Sequence, residues 1–230
     1  MFAFSTSPRP LASRPPIPQQ LKERAKPVLS ASSRTIEIDP ALRSLLPNGS
    51  FQRGTTTTLF GPEGSGATSL GISLMAHASS TGHWCGVVGA RDPGVTAMKE
   101  LGLDVRRVIF VPHPQAGWAD AAAELLDGVD VLLLCPPRNV PHAAARRLMA
   151  RAKERRSVLL IRTVTPKQWP IVPELTLSLT SASWQGVGHG DGHLTARRVA
   201  VTVHGRRGAS RPVEQWLWLP TRQGTVREAG

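Results

Sequence analysis

Five apolar runs of strand length recur along the middle of this chain, with segments of helical period between them. No other feature constrains the fold as much. The runs are TTTTLFG (55–61), HWCGVVGA (83–90), RVIFVPH (107–113), DVLLLCPP (130–137) and SVLLIRT (157–163). Runs of β-branched and aliphatic residues this continuous belong to strands buried on both faces, as in a parallel sheet covered by helices. Between them lie SGATSLGISLMAHASS, DPGVTAMKELG, QAGWADAAAELLDG and PHAAARRLMARAKERR, each long enough for a crossover helix. Repeated β-α-β spacing predicts an α/β three-layer sandwich with a mostly parallel sheet. After Trp169 the helices stop. LTLSLT, RRVAVTVHG and QWLWLP read as strands, with glycine-rich VGHGDGH where a hairpin connection would fall. The sheet is expected to end in antiparallel C-terminal strands.

The flanks differ in character. Residues 1–35 carry Pro8, Pro10, Pro15, Pro16, Pro18 and Pro27 among serine and arginine, which reads as a flexible Pro-rich N-terminal arm. One short helix fits QQLKERAKPVL within it. Residues 36–220 form the expected domain, and 221–230 an expected disordered tail. No apolar run approaches the roughly 18 to 20 residues a membrane span needs, and the start lacks a signal-peptide pattern, so a cytoplasmic protein is expected. Cys85 and Cys135, the only cysteines, both sit in apolar runs, which excludes a disulfide scaffold and a four-cysteine zinc site.

The net charge of +12 is unevenly spread. Residues 48–137 hold 5 basic and 8 acidic side chains, whereas 138–230 hold 16 and 5. That polarity suits a polyanion or an acidic protein partner on one side of the molecule. A general bias toward arginine, 23 of the 28 basic residues, is the competing explanation, but it does not account for the acidic middle.

A strand runs into GPEGSGATS and then into a helix, the context in which a phosphate-binding loop is believable. Gly61, Gly66 and Thr68 fit the frame G-x-x-x-x-G-K-[ST], with Gly64 inside it, but Ala67 stands at the lysine position. The carboxylate that would hold a metal at the end of a later strand is replaced by Cys135 in DVLLLCPP, and Asp130 lies at the wrong end of that run. Each lost charge-assisted bond costs roughly 1.5 to 3 kcal/mol, so nucleotide binding should weaken about a hundredfold to ten-thousandfold. Two readings of Gly61 to Thr68 compete: a loop that still holds phosphate through backbone N–H groups, and a tight strand-to-helix turn that binds nothing. The second is favoured, because backbone amides alone make a weak, unselective anion site.

With these residues in view, the order LPNGSFQRGTTTTLFGPEGSGATSL, GARDPGVTAMKELGLDVRRVIFVP, VDVLLLCPP, SVLLIRT resembles the RecA ATPase core over roughly residues 38 to 205. Where that family carries a catalytic glutamate, this chain reads GARDP, with Arg91 or Asp92 at the position. Together with SASWQGVGHGDGHLTARRVAVTVHGRRG, the pattern is similar to the actinobacterial RecA-like proteins called ImuA-prime. The resemblance implies a P-loop NTPase fold without catalysis and a role as an accessory of damage-induced mutagenesis and translesion synthesis. It also implies action with ImuB, an inactive Y-family polymerase homologue, and with an error-prone replicative-type polymerase α subunit, on the nucleoid after DNA damage. Two other functions remain open: an ATP-dependent RecA-like repair ATPase with an atypical loop, and a stand-alone basic DNA-binding module.

The remaining constellations point to binding rather than chemistry. His189, Asp191 and His193 alternate in HGDGH, but the flexible glycines favour a polar hairpin tip over a metal site, so no metal and no cofactor are expected. Cys135, flanked by leucine and proline, has no neighbouring base and reads as a structural thiol. Arg147, Arg151 and Arg155 form one stripe at i, i+4 and i+8, while Arg197, Arg198, Arg206, Arg207 and Arg211 lie along the late strands. Both groups are candidates for weak, non-specific contact with DNA phosphates, and the helical stripe is equally a solvated face. Trp216 and Trp218 share one face of a strand whose other face carries Leu217 and Leu219. A partner protein or the N-terminal arm would cover one of those faces.

Overall fold

The computed structural model describes residues 34–91, 94–187, 192–205 and 212–229. In chain order the elements are β1 (Thr35–Glu37), β2 (Ser50–Gln52), β3 (Thr56–Phe60), α1 (Ala67–Ser80), β4 (Cys85–Val88), α2 (Val95–Glu100), β5 (Val108–Val111), α3 (Trp118–Leu126), β6 (Val131–Leu134), α4 (His142–Arg155), β7 (Val158–Thr163), β8 (Leu175–Val187), β9 (Gly192–Gly205), β10 (Val213–Trp218) and β11 (Arg227–Glu228). Each of the five apolar runs supplies a strand, and each helical segment a helix.

β1 and β2 make a small separate ladder, and the other nine strands form one sheet in the order β11-β10-β9-β8-β3-β7-β6-β4-β5. β5, β4, β6, β7, β3 and β8 are parallel; β9, β10 and β11 are antiparallel. The expected three-layer α/β sandwich with antiparallel C-terminal strands is the fold observed.

Two cores flank the sheet. On one face α1 and α2 bury Leu70, Leu74, Met75 and Met98 against Leu59, Leu133 and Leu160. α1 is apolar nearly all round because Ile36, Ile38, Leu42 and Leu45 close over its outer side. On the other face α3 and α4 bury Ala122, Leu126, Ala145 and Leu148 against Leu132, Leu134, Leu159 and Ile161. This second core includes no residue of β8, β9 or β10. In those strands one face carries Leu175, Leu177, Val199, Val201 and Leu217 into the first core, and the other carries Thr176, Ser178, Arg198, Thr202, Trp216 and Trp218. The period of two thus leaves one face without a helix among the described residues.

No helix links β7 to β8. Residues 164–174 cross over β3, and Trp169 and Ile171 take a helix's place in the second core. At the other end of the sheet, Asp130 is 4% exposed and meets Arg53 Nη1 at 2.7 Å and His83 Nδ1 at 3.2 Å. Burial alone would push its carboxyl up, but His83 and Arg53 hold it below the usual carboxylate range.

Two boundaries need correction. The expected end of the arm at residue 35 falls inside β1, and the rest of the arm, with its expected helix, lies outside the described residues. Residues 221–229 do not fray. Thr221 and Thr225 close a turn, β11 pairs with Leu217 and Trp218, and Ala229 N donates to the Trp216 carbonyl. The late sheet edge offers unsatisfied backbone partners, which hold this short segment in place. No helix among the described residues is long and apolar enough to cross a membrane.

Candidate functional site

The loop after β3 makes a tight strand-to-helix turn. Gly61 N donates to the Thr163 carbonyl at 3.1 Å, Ser65 N to the Pro62 carbonyl at 3.1 Å, and α1 begins at Ala67. Gly66 turns the chain with φ +95, a conformation that side-chain-bearing residues rarely adopt. Ser65 Oγ accepts from Ala67 N at 3.4 Å, so one loop amide is capped from within. The Ala67 side chain is buried, while Thr68 and Ser69 face outward into a cleft.

That cleft, about 840 Å³, lies at the carboxyl ends of the parallel strands, where α/β sheets place their ligands. The ends of β3 to β7 contribute. β4 is followed by Gly89, Ala90 and Arg91, β6 by Cys135 and Arg138, and β7 supplies Arg162. A Cβ on Gly89 would collide with the Cys135 carbonyl, which explains the glycine there. Burial pushes the Cys135 thiol up to about 11, against the opposing pull of the Arg162 guanidinium, so it stays protonated and inert near neutral pH. Arg162 Nε is buried and has no hydrogen-bond partner among the described residues. Glu63, at the rim, is the acidic residue of the lining, and Arg138 lies 3.6 Å from it.

The model of the MT3502 N-terminal domain matches residues 44–170 of this chain, more than half of it. The chain belongs to the MT3502 N-terminal domain family. It is 31% identical to the uncharacterized protein Rv3395c of Mycobacterium tuberculosis over 170 residues, 74% of this chain and 70% of that protein. RecA of Chlorobaculum parvum is 36% identical over 80 residues, and RecA of Gluconacetobacter polyoxogenes 33% over 95. The aligned stretches are 22% and 26% of those RecA proteins. Among solved structures, a KaiC-like protein, PH0186 of Pyrococcus horikoshii, superposes with a TM-score of 0.59 at 15% identity, covering 86% of this chain and 99% of that one. The fold is therefore RecA-like.

RecA-like folds imply a magnesium nucleotide in this cleft, and the lining of this MT3502 N-terminal domain does not fit one. Ala67 offers no charge to phosphate, Cys135 no carboxylate to metal, and Arg91 and Arg162 bring cations where a metal ion would need anions. Thr68 alone retains a hydroxyl of the right type. Asp92 lies outside the described residues, so Arg91 is the placed candidate for the lost glutamate position. No group of three His, Cys, Asp or Glu among the described residues could hold a metal. His189 and Asp191 lie outside the described residues, and His193 is exposed.

The structure separates the basic residues that the sequence grouped. Arg147 donates to Asp120 at 2.7 Å, and Arg151 and Arg155 both reach Asp127, with Arg151 Nε at 2.7 Å and Arg155 Nε at 3.1 Å. The stripe joins α4 to the α3 segment through exposed ion pairs. Arg197 is no surface residue. It is 5% exposed, donates Nη1 to the Gly64 carbonyl at 2.9 Å and Nε to the Leu219 carbonyl at 2.7 Å, and stacks on Trp184 at 5.0 Å. Its guanidinium packs against Gly66, where a Cβ would strike it. Its β9 face is the apolar one, shared with Val199 and Val201, so only its polar tip finds partners. Arg198 points the other way and stacks on Trp216 at 4.4 Å. Trp216 and Trp218 are half-buried on that helix-free face, over buried Leu217 and Leu219. Arg206, Arg207 and Arg211 lie outside the described residues.

Sequence reasoning missed Arg162 and Arg138 as cleft residues. A charged residue near the end of the otherwise apolar SVLLIRT was the available signal for Arg162.

Proposed function

We propose that this RecA-like chain is a non-catalytic adaptor of damage-induced mutagenesis. It binds an ImuB-type inactive Y-family polymerase homologue and, through the same assembly, an error-prone replicative-type polymerase α subunit. The observation that carries the reading is the cleft, where alanine, cysteine and arginines replace the groups that handle phosphate and metal in working P-loop ATPases. A fold that keeps its scaffold without those groups works by its surface. The partner identity rests on the likeness of GATSL, WCGVVGARDPG, DVLLLCPP and the late-strand segment to ImuA-prime proteins. The contact surface in this reading is the helix-free face with Arg198, Trp216 and Trp218, since tryptophan and arginine dominate interface hot spots. Nucleoid localisation after damage would follow from that assembly.

Two measurements test it. Mg-ATP turnover with and without DNA should stay at background, and turnover abolished by Thr68→Ala would restore the ATPase reading. In pull-downs with the polymerase components, Trp216→Ala with Trp218→Ala should lose about 2 kcal/mol or more of binding while circular dichroism and the melting curve report a folded chain. A folded double variant that binds as wild type does would move the contact elsewhere.

A further inference from the structure

Three arginines, Arg91, Arg138 and Arg162, converge on the strand-end cleft from three different strand ends, against the single carboxylate of Glu63 among the described residues. Convergence from separate strands is not a solvated face. The rim residues Arg91 and Arg138 are exposed, whereas Arg162 sits deeper, with Nε shut away from water and donating to nothing among the described residues. A buried N–H without an acceptor is costly unless something supplies one. No described acidic residue forms an ion pair with Arg162. The neighbouring Gln168 side chain is engaged elsewhere: its amide nitrogen donates to the Pro136 and Pro137 carbonyls and its oxygen accepts from Val164 N. The Cys135 thiol beside Arg162 is neutral near pH 7.

We propose that this cleft binds a phosphate-bearing small molecule free of magnesium, with Arg162 on the floor and Arg91 and Arg138 at the rim. The proposal rests on the non-catalytic reading of the same cleft. About 840 Å³ is within the range of small-molecule sites, and the shared chemistry of the ligand is a chain of phosphates, whether on a nucleotide or alone. Planar guanidinium groups match phosphate oxygens in a two-point fork, and unlike lysine they stay charged when partly buried. The exchange of acidic for basic residues has a consequence that reverses the usual metal dependence. A magnesium ion on the phosphates cancels charge that the arginines would otherwise meet and adds a cation to a cleft whose described lining has Glu63, already beside Arg138, as its carboxylate. Magnesium therefore weakens binding here.

The test is titration calorimetry of the full chain at low salt with inorganic tripolyphosphate, ATP and adenosine, each in EDTA and in excess magnesium. Tripolyphosphate and ATP should bind in EDTA and lose about tenfold in affinity with magnesium. Arg162→Gln should weaken binding in EDTA by about tenfold or more, the scale of one charge-assisted contact, and Arg162→Lys should recover part of it. If Arg162→Gln melts early, the exposed pair Arg91→Gln with Arg138→Gln carries the same expectation, with Arg147→Gln on α4 as an unaffected control. ATP binding more tightly than tripolyphosphate would mark a nucleotide ligand, and equal affinity recognition of phosphate alone; either supports the site. Absence of tripolyphosphate binding in EDTA, tighter binding with magnesium, adenosine binding as well as ATP, or wild-type affinity in both sets of variants would overturn it. Phosphate release from Mg-ATP is scored separately and bears on the adaptor reading, whereas loss of EDTA binding leaves that reading intact.

Discussion

The two halves of the sheet handle charge in opposite ways. In the parallel half, helices cover both faces, and away from the strand-end cleft most arginines that are paired meet an acid: Arg53 meets Asp130 beside the His83 ring, Arg147 meets Asp120, and Arg151 and Arg155 meet Asp127, while Arg107 lies over Trp84. In the antiparallel half one face has no helix among the described residues, and Arg197 and Arg198 find aromatic rings and carbonyls rather than acids. Arg198 lies over Trp216, and Arg197 over Trp184 with the carbonyls of Gly64 and Leu219. The net positive charge of the C-terminal third is therefore not simply a basic surface. Among the described residues, Arg147, Arg151 and Arg155 are matched by acids of the α3 segment, Arg197 is buried, Arg138 and Arg162 line the cleft, and Arg198 lies over Trp216. Charge counted along a chain reports on partners only after the internal pairs have been removed.

The largest effect expected from this contrast is in the parallel half. Asp130→Ala leaves Arg53 buried without a counter-charge and should cost about 3 to 5 kcal/mol in denaturant unfolding. The pH dependence has the same origin. Because the Asp130 carboxyl titrates lower in the folded chain than in the unfolded one, its stabilisation is complete above the ordinary carboxylate range and is lost as pH falls through the depressed folded value. Melting curves taken from neutral to acid pH should show that loss in wild type, and Asp130→Asn should flatten it. An Asp130→Ala chain as stable as wild type would remove the idea of a matched parallel half.

Next in size is Arg197→Met, which keeps the aliphatic stem but removes both carbonyl contacts. A loss of about 1 to 3 kcal/mol is expected, with faster amide exchange at Gly64 to Ala67. Unchanged exchange there would mean that Arg197 does not tie the loop to β9. The smallest effect belongs to Arg151→Gln with Arg155→Gln. These pairs are largely exposed, so stability should fall by less than about 1 kcal/mol, and any affinity for DNA measured at low salt should stay the same. A clear drop in DNA binding would return the stripe to the surface role its spacing suggested.

Strand and helix positions were legible because each apolar run is bounded by glycine, proline or charge and each helix between them is long enough to cross over. The loop and its departures were legible for a similar reason, since Gly61 to Thr68 are adjacent in sequence. The cleft as a cationic site was not, because Arg91, Arg138 and Arg162 meet only through strand order. The Asp120 and Asp127 partners of α4 could have been suspected, being two helical turns apart on the preceding segment. For Arg197, period two already placed it with Val199 and Val201 on the apolar side; the distant carbonyls that receive its charge had no sequence signature.

β3 sits between β7 and β8, and both neighbours lie roughly a hundred residues further along the chain. As the protein leaves the ribosome, the strand that carries this loop therefore waits unpaired on both edges until β7 has been made, and on one edge until β8 follows. Local hairpins such as β8 with β9 can close within moments of synthesis, but the cleft cannot exist before β7 and the segment to Gln168 have been made. Any fragment stopping short of β7 leaves an exposed Thr-Thr-Thr-Leu-Phe edge in search of a strand, so the demand on chaperones falls on the interval of translation between residues 60 and 180.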